Sequence, residues 1–232
     1  MKNFSLLVFT AIVFFACKNS EQKTEEENFA KITKNCLTDL DYNYEQLLSL
    51  NEVSAVLTLD DTKVKTNSID RKDQYGNVYY SWKSDRPDME SPISVHFLVP
   101  DNNSVGISGL NSYSEDLSSE SVLANFEIEY KQLSDSELKE LDKNTQQHTE
   151  NKTAEEKETL KGIVEARKNF SYKKIENFGR SSFWRFSEKN GGELVTLIGN
   201  EKFSIYIKIS YDADENLEMA KKLAKTVMDK CL

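Results

Sequence analysis

The sequence predicts an α+β domain over residues 36–232, in which a mainly antiparallel sheet is packed by helices. Three observations favour this fold class. Apolar and polar side chains alternate along 203–210, as they do in a strand with one buried face. Turn residues join 181–210 into a three-strand antiparallel meander. The chain ends in a stretch whose apolar side chains have helical spacing, which predicts an amphipathic C-terminal helix on the sheet.

Three capping-box patterns predict where helices begin. In this pattern a Ser or Thr is followed three residues later by a Glu, and the two side chains bond free N–H groups of the first turn. The pairs are Ser49 with Glu52, Ser134 with Glu137, and Thr153 with Glu156. We also expect helix in 40–50, before the first pair, and near 119–131, where apolar side chains recur at helical spacing.

The polar stretch 134–170 contains no proline and is predicted to be a long helical segment. Thr and Asn side chains between 149 and 153 are poor choices for a helix interior, so we expect two helices with a break there. One long, solvated arm is the alternative. For the C-terminal helix, we expect Asp214 to be the N-cap.

Alternation predicts further strands before and within the meander. The apolar positions that alternate with polar ones are Val78, Tyr80 and Trp82; Ile93, Val95, Phe97 and Val99; and Trp184 with Phe186. The run 194–198 is compact and mostly apolar, and turns rich in glycine flank it. Half-exposed faces of this kind are typical of antiparallel sheets with helices on one side.

Residues 1–16 have the pattern of a signal peptide and are excluded from the predicted domain. Lys2 precedes an apolar run of about 13 residues, which is shorter than the ~20 needed to span a bilayer. The run ends at Ala16 and Cys17, and there the segment resembles the lipobox of a bacterial lipoprotein. A soluble secretory signal or a buried N-terminal helix is the alternative interpretation.

The lipoprotein resemblance implies cleavage before Cys17, acylation of Cys17 with fatty chains such as palmitate, and a location in the cell envelope. The membrane would then be a partner through the N-terminal lipid anchor. Because Lys18 follows the cysteine, where an aspartate would signal retention in the inner membrane, the resemblance favours the outer membrane. The domain would face the periplasm or the exterior.

The segment 17–35 contains three consecutive glutamates, 25–27, and has few apolar side chains, so it is predicted to be a flexible tether. The whole chain carries a net charge of −9. An acidic surface disfavours nucleic acid as a partner, because phosphate binding needs basic side chains.

Given lipid on Cys17, two cysteines remain, Cys36 and Cys231, at opposite ends of the predicted domain. The implied compartment is oxidising, and the termini of domains often lie close together. We therefore expect a Cys36–Cys231 disulfide. Two free, buried thiols are the alternative.

The sequence offers little that indicates catalysis. It contains two histidines, His96 and His148, and no nucleophile elbow, zinc-protease motif or phosphate-binding loop. Asp212, Asp214 and Asn216 match the first ligand positions of an EF-hand loop, but the later Gly and Glu are missing. We interpret these carboxylates as turn and capping groups, and we expect no metal, no cofactor and no catalytic residue.

Aromatic strands supply the remaining candidates for a ligand-binding site. Trp82 and Trp184 are expected in the core, whereas Tyr79, Phe183 and Arg185 lie on the opposite sides of their strands and are expected to be partly exposed. Exposed aromatic side chains with arginine are typical of binding surfaces. Packing of all these aromatics in the core is the alternative.

The order of short helix, strands, helices, strands and closing helix over residues 36–232 is similar to PsbP-like α/β/α sandwich lipoproteins of unassigned role. That resemblance implies a non-catalytic domain of the envelope that binds a protein or a small ligand. Two alternatives remain: an immunity-type lipoprotein whose acidic surface binds a secreted toxin, and an envelope enzyme that uses carboxylates.

Overall fold

The computed structural model describes residues 32, 35–90, 98–149, 152–153, 156, 158–160, 162 and 172–232. The predicted signal peptide, Cys17 and most of the tether lie outside these residues. So do His96 and the predicted strand positions Ile93, Val95 and Phe97, and the side chain of His148.

A seven-stranded antiparallel sheet with helices packed on it forms the domain, which confirms the α+β class. The strands are β1 (Lys65–Ile69), β2 (Asn77–Trp82), β5 (Asn103–Ser112), β6 (Lys173–Ile175), β7 (Ser181–Ser187), β8 (Gly191–Ile198) and β9 (Glu201–Lys208), with a separate hairpin of β3 (Met89–Glu90) and β4 (Leu98–Val99). The order across the sheet is β1-β2-β5-β9-β8-β7-β6. The predicted meander is confirmed, because β7 pairs with β8 and β8 with β9.

The helices are α1 (Tyr44–Leu47), α2 (Leu50–Leu57), α3 (Ser119–Tyr130), α4 (Asp135–Thr149) and α5 (Ala213–Met228). The Ser49–Glu52 capping box opens α2 with both of its hydrogen bonds in place. Ser134 and Glu137 make the same contacts before α4, and Thr153 and Glu156 make them after it. The break near 149–153 is therefore confirmed.

Two helical predictions need correction. The segment 40–50 is not one helix, because Leu48 is extended between α1 and α2, where Ser49 must leave helical geometry to act as a cap. The N-cap of α5 is Asp212 instead of Asp214. The Asp212 carboxylate accepts hydrogen bonds from the backbone N–H of Asp214 at 2.7 Å and of Glu215 at 3.0 Å.

The helix-covered face of the sheet holds the main core. The side chains of the three inner strands on this face are fully buried: Val105, Ile107, Phe203, Ile205, Ile207 and Leu194. They pack with residues of α1, α2 and α5, among them Leu47, Val53 and Leu223. Burying each such side chain contributes roughly 1.5–3 kcal/mol, so this face provides most of the driving force for folding.

The second face of the sheet is covered at one end by α3. Val122 and Phe126 of α3 pack on Phe183 and Val195 of β7 and β8. The rings of Phe126 and Phe183 have centroids 5.7 Å apart. This second, smaller core leaves the side chains that β2 and β5 place on the same face half-exposed.

The first and last segments of the domain are held together near the start of β9. Cys36 and Cys231 form a disulfide with their Cα atoms 5.4 Å apart, as expected from the sequence. Beside it, the fully buried carboxylate of Glu201 accepts hydrogen bonds from the backbone N–H of Leu37 at 2.8 Å and of Thr38 at 2.7 Å. The disulfide and this buried carboxylate therefore hold the first residues of the domain against β9 and α5.

Replacing Cys36→Ser together with Cys231→Ser is expected to lower the free energy of unfolding by up to about 5 kcal/mol, since the bridge closes a loop with a sequence separation of 195 residues. Urea unfolding without reductant measures the loss. A thiol reductant should shift the wild-type midpoint to that of the double variant and leave the variant unchanged. A wild-type midpoint that does not respond to reductant would contradict the stabilising role.

Candidate functional site on the second sheet face

The register of the sheet brings five residues from five strands into one row on the second face. Tyr79 lies opposite Gly106, Gly106 opposite Tyr206, Tyr206 opposite Glu193, and Glu193 opposite Arg185. The row spans four strand spacings from β2 to β7, roughly 19 Å. Two of the side chains predicted from the sequence to bind a ligand, Tyr79 and Arg185, thus lie at the two ends of one row.

Gly106 provides the space that this row needs between its two tyrosines. A Cβ atom on Gly106 would lie 2.2 Å from Cδ1 of Tyr79, so the Tyr79 ring lies directly against the backbone of β5. The ring meets Tyr206 edge to face, with centroids 5.9 Å apart. The Tyr206 hydroxyl donates a hydrogen bond to the carbonyl of Asn190, and burial raises the pKa of Tyr206. The two tyrosines therefore form a continuous aromatic floor over Gly106.

Hydroxyl and amide side chains surround the aromatic floor. We call the eight residues Asn77, Tyr79, Ser81, Ser104, Gly106, Ser108, Ser204 and Tyr206 the open face; they follow the register of β2, β5 and β9. Most of them are half-buried, and these eight carry no ionisable charge at neutral pH. On the same side of the sheet, the register places Lys65 opposite Ser81, and Lys208, which pairs with Asp101, opposite Ser104. The open face is thus an uncharged polar surface within the sheet, with two lysines at its border.

An ion pair and a cavity lie next to Tyr206. Arg185 Nη2 is 2.5 Å from Glu193 Oε2, and the Tyr172 hydroxyl donates to the same oxygen at 2.6 Å. The Arg185 guanidinium also lies over the Tyr172 ring, 4.9 Å from its centroid. Between these groups and the turn at Asn190 is a cavity of about 240 Å³. Its walls combine two aromatic side chains, Phe186 and Tyr206, with hydrogen-bond donors and one carboxylate.

A buried charge cluster closes the other side of the open face. Asp101, whose side chain is 1% exposed, bonds Lys208 Nζ at 2.5 Å and Arg86 Nε at 2.8 Å. The Tyr211 hydroxyl donates to the same carboxylate at 3.2 Å. Because Arg86 and Asp101 flank the β3–β4 hairpin, the cluster ties that hairpin to the end of β9.

The electrostatics of this cluster favour an ionised Asp101. Burial on its own would raise the pKa of Asp101, but the hydrogen bonds from Arg86 and Lys208 outweigh it and lower the pKa to about 2. The carboxylate therefore stabilises the fold at every pH above its ordinary pKa of 3.8, and this contribution is lost as the pH falls toward 2.

For one of the three candidate ligand-binding residues, the prediction of partial exposure was wrong. Phe183 is 4% exposed instead of partly exposed, because α3 covers it with Phe126 and Tyr130. Arg185 is exposed over 53% of its side chain and Tyr79 is half-buried. Whether these residues bind a ligand stays a prediction.

Sequence reasoning missed Tyr206, Glu193 and Gly106. The alternation of β9 placed Tyr206 with Ser204 and Lys208, but a single strand does not reveal which residues of other strands complete a row. The Asp101–Lys208 pair joins residues far apart in the sequence, and no local pattern marks it.

The described residues contain no group of three His, Cys, Asp or Glu side chains arranged to hold a metal ion. Within the same residues, no helix is long and apolar enough to cross a membrane. No protein-family model matches the chain, and neither does any curated protein or solved structure.

Asp101→Asn is expected to lower the free energy of unfolding by about 3 kcal/mol, because it removes the buried carboxylate that Arg86 and Lys208 share. Chemical unfolding at pH 7 measures the change. Glu218→Gln is the matched control, since Glu218 pairs with Lys221 at 2.9 Å but is 62% exposed; it should cost less than about 1 kcal/mol. Equal losses in the two variants would show that burial of the cluster has no energetic consequence.

Proposed function

We propose that the protein is a lipid-anchored, non-catalytic binding domain of the cell envelope and that the open face contacts its ligand. The observation that carries the proposal is the uncharged aromatic and hydroxyl-bearing surface at the centre of the sheet. Antiparallel sheets often leave one face to water. The aromatic floor of Tyr79 and Tyr206 gives this face contact area beyond that of an ordinary solvated sheet.

The anchor rests on the resemblance of the first residues to a lipoprotein signal peptide that ends before Cys17. The Cys36–Cys231 disulfide supports an extracytoplasmic location, since structural disulfides persist in oxidising compartments. The acidic chain would be repelled by anionic lipid head groups, so the tether would hold the domain away from the bilayer. By the signal resemblance, we propose the outer membrane, with the domain facing the periplasm or the exterior.

The ionisable groups beside the open face support a binding role over catalysis. Glu193 is engaged by Arg185 and Tyr172, and it is the one carboxylate among the described residues that line the cavity. Hydrolysis of a glycosidic bond commonly uses two carboxylates across one site. Asp101 is held by Arg86 and Lys208 in a closed ion cluster.

The anchor is tested by growing cells with labelled palmitate. The wild-type protein should carry label and sediment with membranes. Cys17→Ala should lose the label and leave the membrane fraction, because it removes the acylated thiol and the processing site. Cys36→Ser is the control, since Cys36 lies in the disulfide, and its label should be unchanged. Equal labelling of Cys17→Ala and wild type would exclude the anchor.

The binding surface is tested with a photo-crosslinking amino acid at position 81, on the open face, and at position 232, on the exposed C-terminal residue. Leu232 is 66% exposed and follows α5, on the helix-covered side of the sheet. Light should produce adducts in intact cells at position 81 and only background at position 232. Adding Tyr206→Ala should reduce the adducts at position 81. Equal adducts at both positions, or none at either, would contradict the proposed surface.

A further inference from the structure

We propose that the ligand of the open face is an uncharged polysaccharide, with one sugar ring in the cavity beside Tyr206 and the chain extending across the sheet toward Tyr79. This inference rests on the proposed binding function and names the chemical class of its ligand.

Charge selects the class of ligand. The protein carries a net charge of −9, yet the eight residues of the open face carry none. At its border Arg185 and Glu193 neutralise each other at 2.5 Å. The two lysines at the border are Lys208, which pairs with Asp101, and Lys65 on the edge strand β1. An anionic ligand would be repelled by the acidic chain, and a cationic one would have no carboxylate on the open face. The surface therefore matches a polar ligand without charge.

The chemical groups match those of a sugar. A sugar ring has C–H faces that pack on aromatic rings, and hydroxyl edges that both donate and accept hydrogen bonds. Tyr79 and Tyr206 provide the aromatic contact, and the serine hydroxyls and Asn77 amide provide donors and acceptors. The Arg185–Glu193 pair can add a donor and an acceptor to neighbouring hydroxyls without a change in net charge.

Size and shape favour one ring of an extended chain over a compact ligand. The cavity beside Tyr206 has a volume of about 240 Å³, below the ~300 Å³ at which sites for drug-sized molecules begin. From this cavity the aromatic floor continues over Gly106 to Tyr79, with the two tyrosine rings 5.9 Å apart. A linear chain can therefore contact both tyrosines while one unit occupies the cavity.

A protein partner fits the open face less well. The core of a protein interface is more apolar than its rim and is depleted of serine. The large apolar side chains that are exposed in the described part of the chain lie outside the open face: Ile69, Tyr75, Ile128, Tyr211 and Leu232. The open face itself carries serine and asparagine around two half-buried tyrosines.

The test is calorimetric titration of the purified mature protein with three neutral hexasaccharides: cellohexaose, maltohexaose and N-acetylchitohexaose. We expect at least one to bind with a Kd below about 1 mM. Tyr206→Ala should weaken this binding by about tenfold or more, because it removes the aromatic wall of the cavity. Tyr75→Ala, on a tyrosine that is 62% exposed outside the open face, should leave the Kd unchanged.

Two further variants guard against a folding defect. Tyr206→Phe keeps the ring and should retain most of the affinity, whereas Arg185→Ala changes a side chain that is 53% exposed and should weaken binding without loss of stability.

No binding of any hexasaccharide at millimolar concentration, or equal losses in Tyr206→Ala and Tyr75→Ala, would overturn the inference. If position 81 then crosslinks to a polypeptide, the proposed function stands with a protein ligand; if it crosslinks to nothing, both proposals fail.

Discussion

Strand β9 constrains the rest of the structure, because its side chains alternate between two faces of different polarity. One face is apolar and covered by helices, and the other carries the polar open face. Phe203, Ile205 and Ile207 are fully buried on the helix-covered face, between β5 and β8. The residues between them are then forced onto the second face, where Tyr206 becomes part of the open face. A slip of one residue in the register would place Lys208 in the apolar core, so the pattern specifies the register strongly.

Both ends of β9 are fixed by buried charge. At its start, Glu201 accepts backbone hydrogen bonds from Leu37 and Thr38 beside the disulfide. At its end, Lys208 pairs with Asp101. Burying these groups costs solvation energy that the contacts must offset, so their contribution to net stability is modest, but removal of one partner is expensive. The same strand thereby joins the first residues of the domain at one end and the β3–β4 hairpin at the other.

The sequence predicted the elements whose signals are local. The capping box at Ser49, the meander and the amphipathic α5 follow from hydrogen-bond chemistry and periodicity within short windows. Strands β1 and β5 were missed because their sequences are rich in Lys, Asn, Ser and Gly, which have low strand propensity; pairing with β2 and β9 makes them strands. The open face could not be predicted either, because its residues come together only when β2, β5 and β9 pair in register.

The direction of β9 also separates the open face from the proposed anchor. The tether would enter the domain at Cys36, next to Glu201, and Lys208 lies seven residues along the strand, roughly 24 Å away. Tyr206 is near the far end of that distance, and the Asp101 cluster lies beyond it. The point of attachment and the cavity beside Tyr206 would therefore lie toward opposite ends of β9, so a tether at Cys36 would leave the cavity open to an extended polymer.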